Sequence, residues 1–205
     1  IKMHRTDGLY FNYAIFTNIS PDHIGPGEHA DFEEYLYYKT RLLNMCGIGL
    51  VNKDDEHAPQ IIKAANCELY TYSEESKEAD FVASDIRYVS QPDFVGTEFH
   101  ISGKYDMEVR LGIPGLFNVV NALAAVSVCS FLGLDQARIS HALENIRVNG
   151  RMEIVYTSER CTVLVDYAHN AVSMESLLST LRDYKPKRLV CVFGCGGNRS
   201  KARRY

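Results

Sequence analysis

The 205-residue sequence contains no P-loop: the pattern G-x-x-x-x-G-K-[ST], whose backbone amides cradle nucleotide phosphates, occurs nowhere in it. It has no apolar run long enough to cross a bilayer and no secretory signal at its start. It has no marked charge imbalance, the formal net charge being -4. That balance weighs against a nucleic-acid or membrane partner. No internal repeat or low-complexity tract is present. The six cysteines are scattered, and Cys191 and Cys195 stand four apart with no second pair, so neither a zinc site nor a disulfide frame is indicated. Most lie in apolar runs such as Leu189–Phe193, as buried reduced thiols would, which points to a cytoplasmic compartment.

What is present is a hydrophobic fraction of 46%, enough for a core, over a length that suits one large domain or one and a half smaller ones. Asn12–Asn18 reads as a buried strand, followed by a loop through Pro21 and Gly25-Pro26-Gly27. Asp31 is a plausible N-cap with Glu34 three residues on, a capping-box spacing. Phe32, Tyr35, Leu36, Leu42 and Leu43 mark the apolar face of the helix that follows. Strands are expected at Gly47–Val51 and Glu68–Tyr72 with a short helix at Ile61–Ala65 between them. Residues 80–111 alternate instead, over Asp93–Ser102 and Tyr105–Leu111, a hairpin pattern that suggests an antiparallel flap on a mainly parallel sheet. Helices at Leu116–Leu132 and Leu134–Asn145 lead to a break at Val148-Asn149-Gly150, the expected domain boundary. A second α/β pattern begins beyond it: strands Met152–Thr157 and Thr162–Asp166, helix Val172–Tyr184, strand Arg188–Phe193. These are too few elements for a free-standing doubly wound domain, so truncation is expected.

Several residues could carry chemistry. His23, beside Asp22 after a strand, can bind a hard cation or cap a turn. Lys39 falls on the apolar face of its helix. It either snorkels to solvent or is partly desolvated, and a neutral amine can take up carbon dioxide to become an anionic carbamate ligand. Asn118 and Asn121 lie three apart on an apolar helix. Asn118 can cap the helix start, whereas a buried Asn121 amide would need a partner such as a purine edge. Arg151 in Gly150-Arg151-Met152-Glu153 can meet a phosphate or form a surface ion pair. Asp166 ends a strand and can accept from a ribose hydroxyl or cap the next helix. The loop Gly194–Lys201 offers glycines for close approach to an anion, with Arg199 and Lys201 adding charge.

The order of these segments is more specific than any one of them. FTNISPDH, YxxYKTRLL, GLFNVVNALAA, GRMEIV, VDYAHN and FGCGGNRSK, in that sequence, resemble the Mur ligases of bacterial cell-wall synthesis. The last three look most like the UDP-N-acetylmuramyl-tripeptide synthetases. The resemblance implies an α/β fold: a central ATPase-type domain over 1–148, with a mainly parallel sheet and an antiparallel flap, and the start of a Rossmann-like C-terminal domain over 149–205. It implies ATP and Mg2+ as cofactors, and UDP-muramyl dipeptide and a diamino acid (meso-diaminopimelate or L-lysine) as substrates, in a cytoplasmic monomer. Position by position, it implies His23 and carbamylated Lys39 at the metal and Arg5 on the muramyl peptide. Asn118, Asn121, Arg151 and Asp166 would face the nucleotide, and Arg199 and Lys201 the incoming amino acid. Without a P-loop the chain alone is expected to form no peptide bond. The rival readings are a folylpolyglutamate or cyanophycin-type synthetase and a non-catalytic nucleotide-binding module.

Overall fold

The computed structural model describes residues 1–21, 24–25, 28–91, 93–169 and 171–194. Six strands form one sheet in sequence order: β1 Phe11–Phe16, β2 Cys46–Asn52, β3 Glu68–Ser73, β4 Phe81–Ser90, β5 Val95–Gly103 and β6 Met107–Leu111. The first four run parallel, with Ile15 opposite Leu50, Leu50 opposite Tyr70 and Tyr72 opposite Phe81. Successive side chains of a strand face opposite sides. Adjacent Leu50 and Val51 are both fully buried, so β2 is covered on both faces, as its unbroken apolar run requires. The alternating segments behave differently. Gln91 and Phe94 exchange both backbone hydrogen bonds (2.8 and 3.2 Å) between β4 and β5, and links this short can only join antiparallel neighbours. The antiparallel pairing expected within residues 80–111 is therefore present, in the same sheet as the parallel strands.

The chain divides into two compact units. The first holds residues 1–84, 101–107 and 120–134. On one face of its strands, α1 (Phe32–Thr40) and α2 (Ala58–Ala64) close a core of Ala14, Phe16, Leu36, Leu43, Val51 and Ile61. Against the other face stands Phe131, the last residue of α3 (Leu116–Phe131), whose ring meets those of Tyr13, Tyr70 and Phe81 at 6.1, 4.8 and 5.6 Å. Asp31 caps α1, its Oδ1 accepting the Glu34 N–H at 2.8 Å. The return half of the capping box is displaced by one residue: Glu34 accepts from Ala30 N–H at 2.7 Å. After Thr40 the helix tightens into a 3-10 turn, Arg41–Asn44.

The second unit holds residues 85–100, 108–119 and 135–205. It contains α4 (Gln136–Asn145), the antiparallel pair β7 (Glu153–Thr157) and β8 (Thr162–Val165), and α5 (Ala171–Asp183). Gly112 lies so close to α4 that a Cβ would sit 2.2 Å from the Glu144 carbonyl oxygen, which fixes glycine there. Just past α5, the Tyr184 hydroxyl donates to Gly96 O at 3.0 Å and receives the Gly115 N–H at 3.3 Å. The strand expected at Arg188–Phe193 is absent. That segment is coil, with Val192 and Phe193 94% and 72% exposed. An apolar run becomes a strand only where a neighbour completes its ladder, and none does among the described residues. Cys191 is consequently exposed rather than buried, as is Cys161, while Cys46 is buried.

Candidate functional site

In the first unit, residues 1–9 fold into successive turns closed by His4 N–H to Ile1 O, Asp7 N–H to His4 O and Leu9 N–H to Thr6 O, at 3.0, 3.3 and 3.1 Å. Arg5 is exposed within them. Lys39 stands in the last turn of α1 and is also exposed, which corrects the desolvated alternative. The buried positions of that face are Tyr35, Leu36 and Thr40, and the Thr40 hydroxyl donates to Leu36 O at 2.8 Å. The lysine stem carries its ammonium to solvent 5.4 Å from the Tyr35 ring centroid, since hydration of the charge outweighs burial of the head group. His23, Arg199 and Lys201 lie outside the described residues. Among the described residues no group of three or more His, Cys, Asp or Glu side chains converges to hold a metal ion.

The sequence reading passed over the acidic loops after β2 and β3. Asp54 accepts the Ser73 hydroxyl on one oxygen and the Glu74 N–H at 2.9 Å on the other. Asp55 accepts the Ile19 N–H at 2.8 Å and the His57 N–H at 2.9 Å. Two neighbouring carboxylates thus tie together the chain after β1, β2 and β3, at the C-terminal sheet edge where parallel α/β proteins build their sites. Burial, then Asp54 and Glu75, push the Glu74 carboxyl up to about 7. The signal that could have found this region is Asn52-Lys53-Asp54-Asp55 directly after an apolar strand.

On α3, the Asn118 amide donates to Pro114 O at 2.7 Å, so it does not play the part of a cap, whose side-chain oxygen accepts a backbone N–H. Asn121 is exposed, not buried, because Val119, Ala122, Leu123 and Val126 take the inner face. At about 100° per residue, position 121 falls on the opposite side from the centre of that group. The Asn121 amide therefore has no burial to offset, and it can meet a ligand edge from solvent.

The segment from 148 to 153 is a tight turn in the second unit. Gly150 (φ +69°) takes the left-handed conformation and donates its N–H to Glu153 at 2.7 Å. Met152, also left-handed (φ +46°), is buried and donates its N–H to Asp166 Oδ2 at 2.9 Å. The other Asp166 oxygen accepts the Ala168 N–H at 2.7 Å. Asp166 is thus not the cap of α5. It pins the turn to the end of β8, with lone pairs still available to a hydroxyl. Beside it the exposed Arg151 guanidinium lies 5.0 Å from the Tyr167 ring centroid, in cation–π range. His169 Nδ1 sits 2.9 Å from the Tyr167 carbonyl, which can only accept. Nδ1 is therefore the donor in this contact. The structure brings Arg151 and Asp166 together with Tyr167 and His169. Asn118 belongs to the same unit, whereas Arg5, Lys39 and Asn121 belong to the first. The Arg151 guanidinium is a donor suited to a phosphate, and the spare lone pairs of Asp166 are acceptors suited to a ribose hydroxyl.

The Mur ligase middle domain profile matches residues 1–129, and the Mur ligase glutamate ligase domain profile matches residues 150–205. The UDP-N-acetylmuramoyl-L-alanyl-D-glutamate--2,6-diaminopimelate ligase 2 of Clostridium acetobutylicum is 38% identical over all of this chain. The corresponding L-lysine ligase of Streptococcus sanguinis is 36% identical over 98% of it. The chain spans 41% and 40% of those two proteins, well under half of each. A solved structure of a UDP-N-acetylmuramoyl-L-alanyl-D-glutamate--2,6-diaminopimelate ligase superimposes with a TM-score of 0.77 at 30% identity, covering 99% of this chain and 42% of that one. With one profile spanning well over half of its residues and the second most of the remainder, the chain belongs to the Mur ligase family.

Proposed function

We propose that the protein containing this chain joins a diamino acid, meso-diaminopimelate or L-lysine, to UDP-N-acetylmuramoyl-L-alanyl-D-glutamate in the cytoplasm, as a step of peptidoglycan synthesis. The observation that carries the reading is similarity along the whole chain to ligases named for this reaction. ATP supplies the phosphoryl group that turns the substrate carboxylate into an acyl phosphate, which the amine of the incoming amino acid attacks with loss of phosphate. In this reading residues 1–148 form the central domain and 149–205 the beginning of the C-terminal one. Arg151, stacked on Tyr167, meets a nucleotide phosphate. Asp166 accepts from the ribose, Asn121 offers its exposed amide to the adenine edge, and Asn118 holds the start of the same helix. Arg5 binds the anionic muramyl peptide, and Arg199 and Lys201 the incoming amino acid. Lys39, as a carbamate, and His23 would hold Mg2+. An unmodified, solvated ammonium cannot, so the exposed Lys39 fits the metal only after carboxylation.

The test is phosphate release by the full-length protein with ATP, Mg2+ and UDP-muramyl dipeptide, with each diamino acid supplied in turn. Release that requires both the dipeptide and one of the two amino acids is expected. Release driven instead by a folate polyglutamate, or none with any acceptor, would overturn the reading.

A further inference from the structure

Glu34 takes more contacts than a helix cap needs. Its Oε2 accepts from Ala30 N–H and from Lys2 Nζ, each at 2.7 Å, with His29 Nδ1 at 3.7 Å. Lys2 Nζ donates as well to Glu28 O at 2.7 Å. One ammonium therefore ties together the loop before α1 and the first turn of α1. The loop is itself closed, Gly25 N–H donating to His29 O and Glu28 N–H to Gly25 O, both at 3.0 Å. Lys2 in turn begins the series of turns that displays Arg5, and a His4 Nδ1 to Asp7 contact of 2.8 Å braces that series. The Lys2 hydrogen bond, with the Ala30 N–H behind it, holds the Glu34 carboxyl below the usual carboxylate range.

An ion pair this open to water adds little to stability. Its effect is on direction: the Lys2 ammonium links the turns around Arg5 to α1 by charge. Lys39 rides on α1, which the core holds by Tyr35, Leu36 and Thr40. The clamp therefore governs Arg5 and leaves Lys39 where it is.

We propose that Lys2 and Glu34 are positioning residues for substrate binding, clamping the turn that presents Arg5 to the start of α1 so that its guanidinium is held ready for the anionic muramyl peptide. This rests on the function proposed above for Arg5. The experiment is steady-state phosphate release by the full-length protein, varying UDP-muramyl dipeptide and ATP separately. Lys2→Ala should raise the KM for the dipeptide about three- to fivefold, with kcat and the KM for ATP unchanged. Glu34→Gln, which keeps an acceptor for Ala30 N–H but loses the charge, should give the same shift. Lys2→Arg, which can still donate to both acceptors, should restore the wild-type value. An unchanged dipeptide KM in Lys2→Ala, or a loss shared equally by kcat and the ATP KM, would overturn the clamp. If the wild-type protein releases no dipeptide-dependent phosphate, it is the ligase reading that fails. Hydrogen exchange of residues 1–9 and of the Ala30 amide then decides the clamp: faster exchange in Lys2→Ala upholds it, and unchanged exchange overturns it.

Discussion

Asp166 is the residue whose removal tests the site most directly, because its carboxylate is already at work without a ligand. Both oxygens accept backbone amides, Met152 N–H at 2.9 Å and Ala168 N–H at 2.7 Å. Met152 is buried in the left-handed region, a conformation that costs a non-glycine residue of order 1 kcal/mol and persists only where its surroundings enforce it. A hydrogen bond to a charged acceptor is worth about 1.5–3 kcal/mol. Two such bonds at a half-buried carboxylate, reduced for solvent, give about 2–4 kcal/mol for opening this turn. Asp166→Ala should lose all of it, and Asp166→Asn, with one acceptor oxygen, about half. Amide exchange at Met152 and Ala168 in the nucleotide-free protein reads the change directly. At tenfold per 1.36 kcal/mol, it should speed up by roughly 30- to 1,000-fold in Asp166→Ala. Exchange within about threefold of wild type would show that the carboxylate does not hold the turn. The ordering of Arg151 by this turn would then be wrong as well.

Lys39→Ala should leave the unfolding free energy within about 0.5 kcal/mol, since the side chain is exposed. If the carbamate reading holds, it should nonetheless abolish ligation by the full-length protein, with partial rescue by short-chain carboxylic acids; full activity in the variant would end that reading. Glu74 carries a carboxyl raised from 4.5 to about 7. The folded state thus binds the proton more tightly than the unfolded one, and stability falls as pH rises through that window. Because the group is half-exposed, the loss is limited to about 1 kcal/mol. Urea midpoints at about pH 5 and pH 8 should differ less in Glu74→Gln than in wild type, and equal slopes would refute the assignment. The Cys46 thiol is pushed up to about 12 by burial and by Cys67. A thiol reagent should therefore label exposed Cys161 and Cys191 in the folded protein and reach Cys46 only on unfolding. Prompt labelling of Cys46 would contradict its burial.

The sequence determined whatever is settled within one element. The apolar run of β2, the Asp31 cap of α1 and the alternation of β5 and β6 all follow from neighbours in the chain, and each appears where it was expected. The ordered motifs carried the family. What only the tertiary structure decided is exposure and pairing. The helical angle that puts Lys39 among apolar residues does not say whether a long side chain bends out to water, and it does. A strand needs a partner ladder, so Arg188–Phe193 reads as a strand in sequence and is coil in space. Asp166 looked like a cap or a ligand group, because the amide it holds, that of Met152, is fourteen residues away. Local preference is written along the chain. Partners that are distant in sequence become visible only when folding brings them within a few ångströms, the range over which hydrogen bonds and burial act.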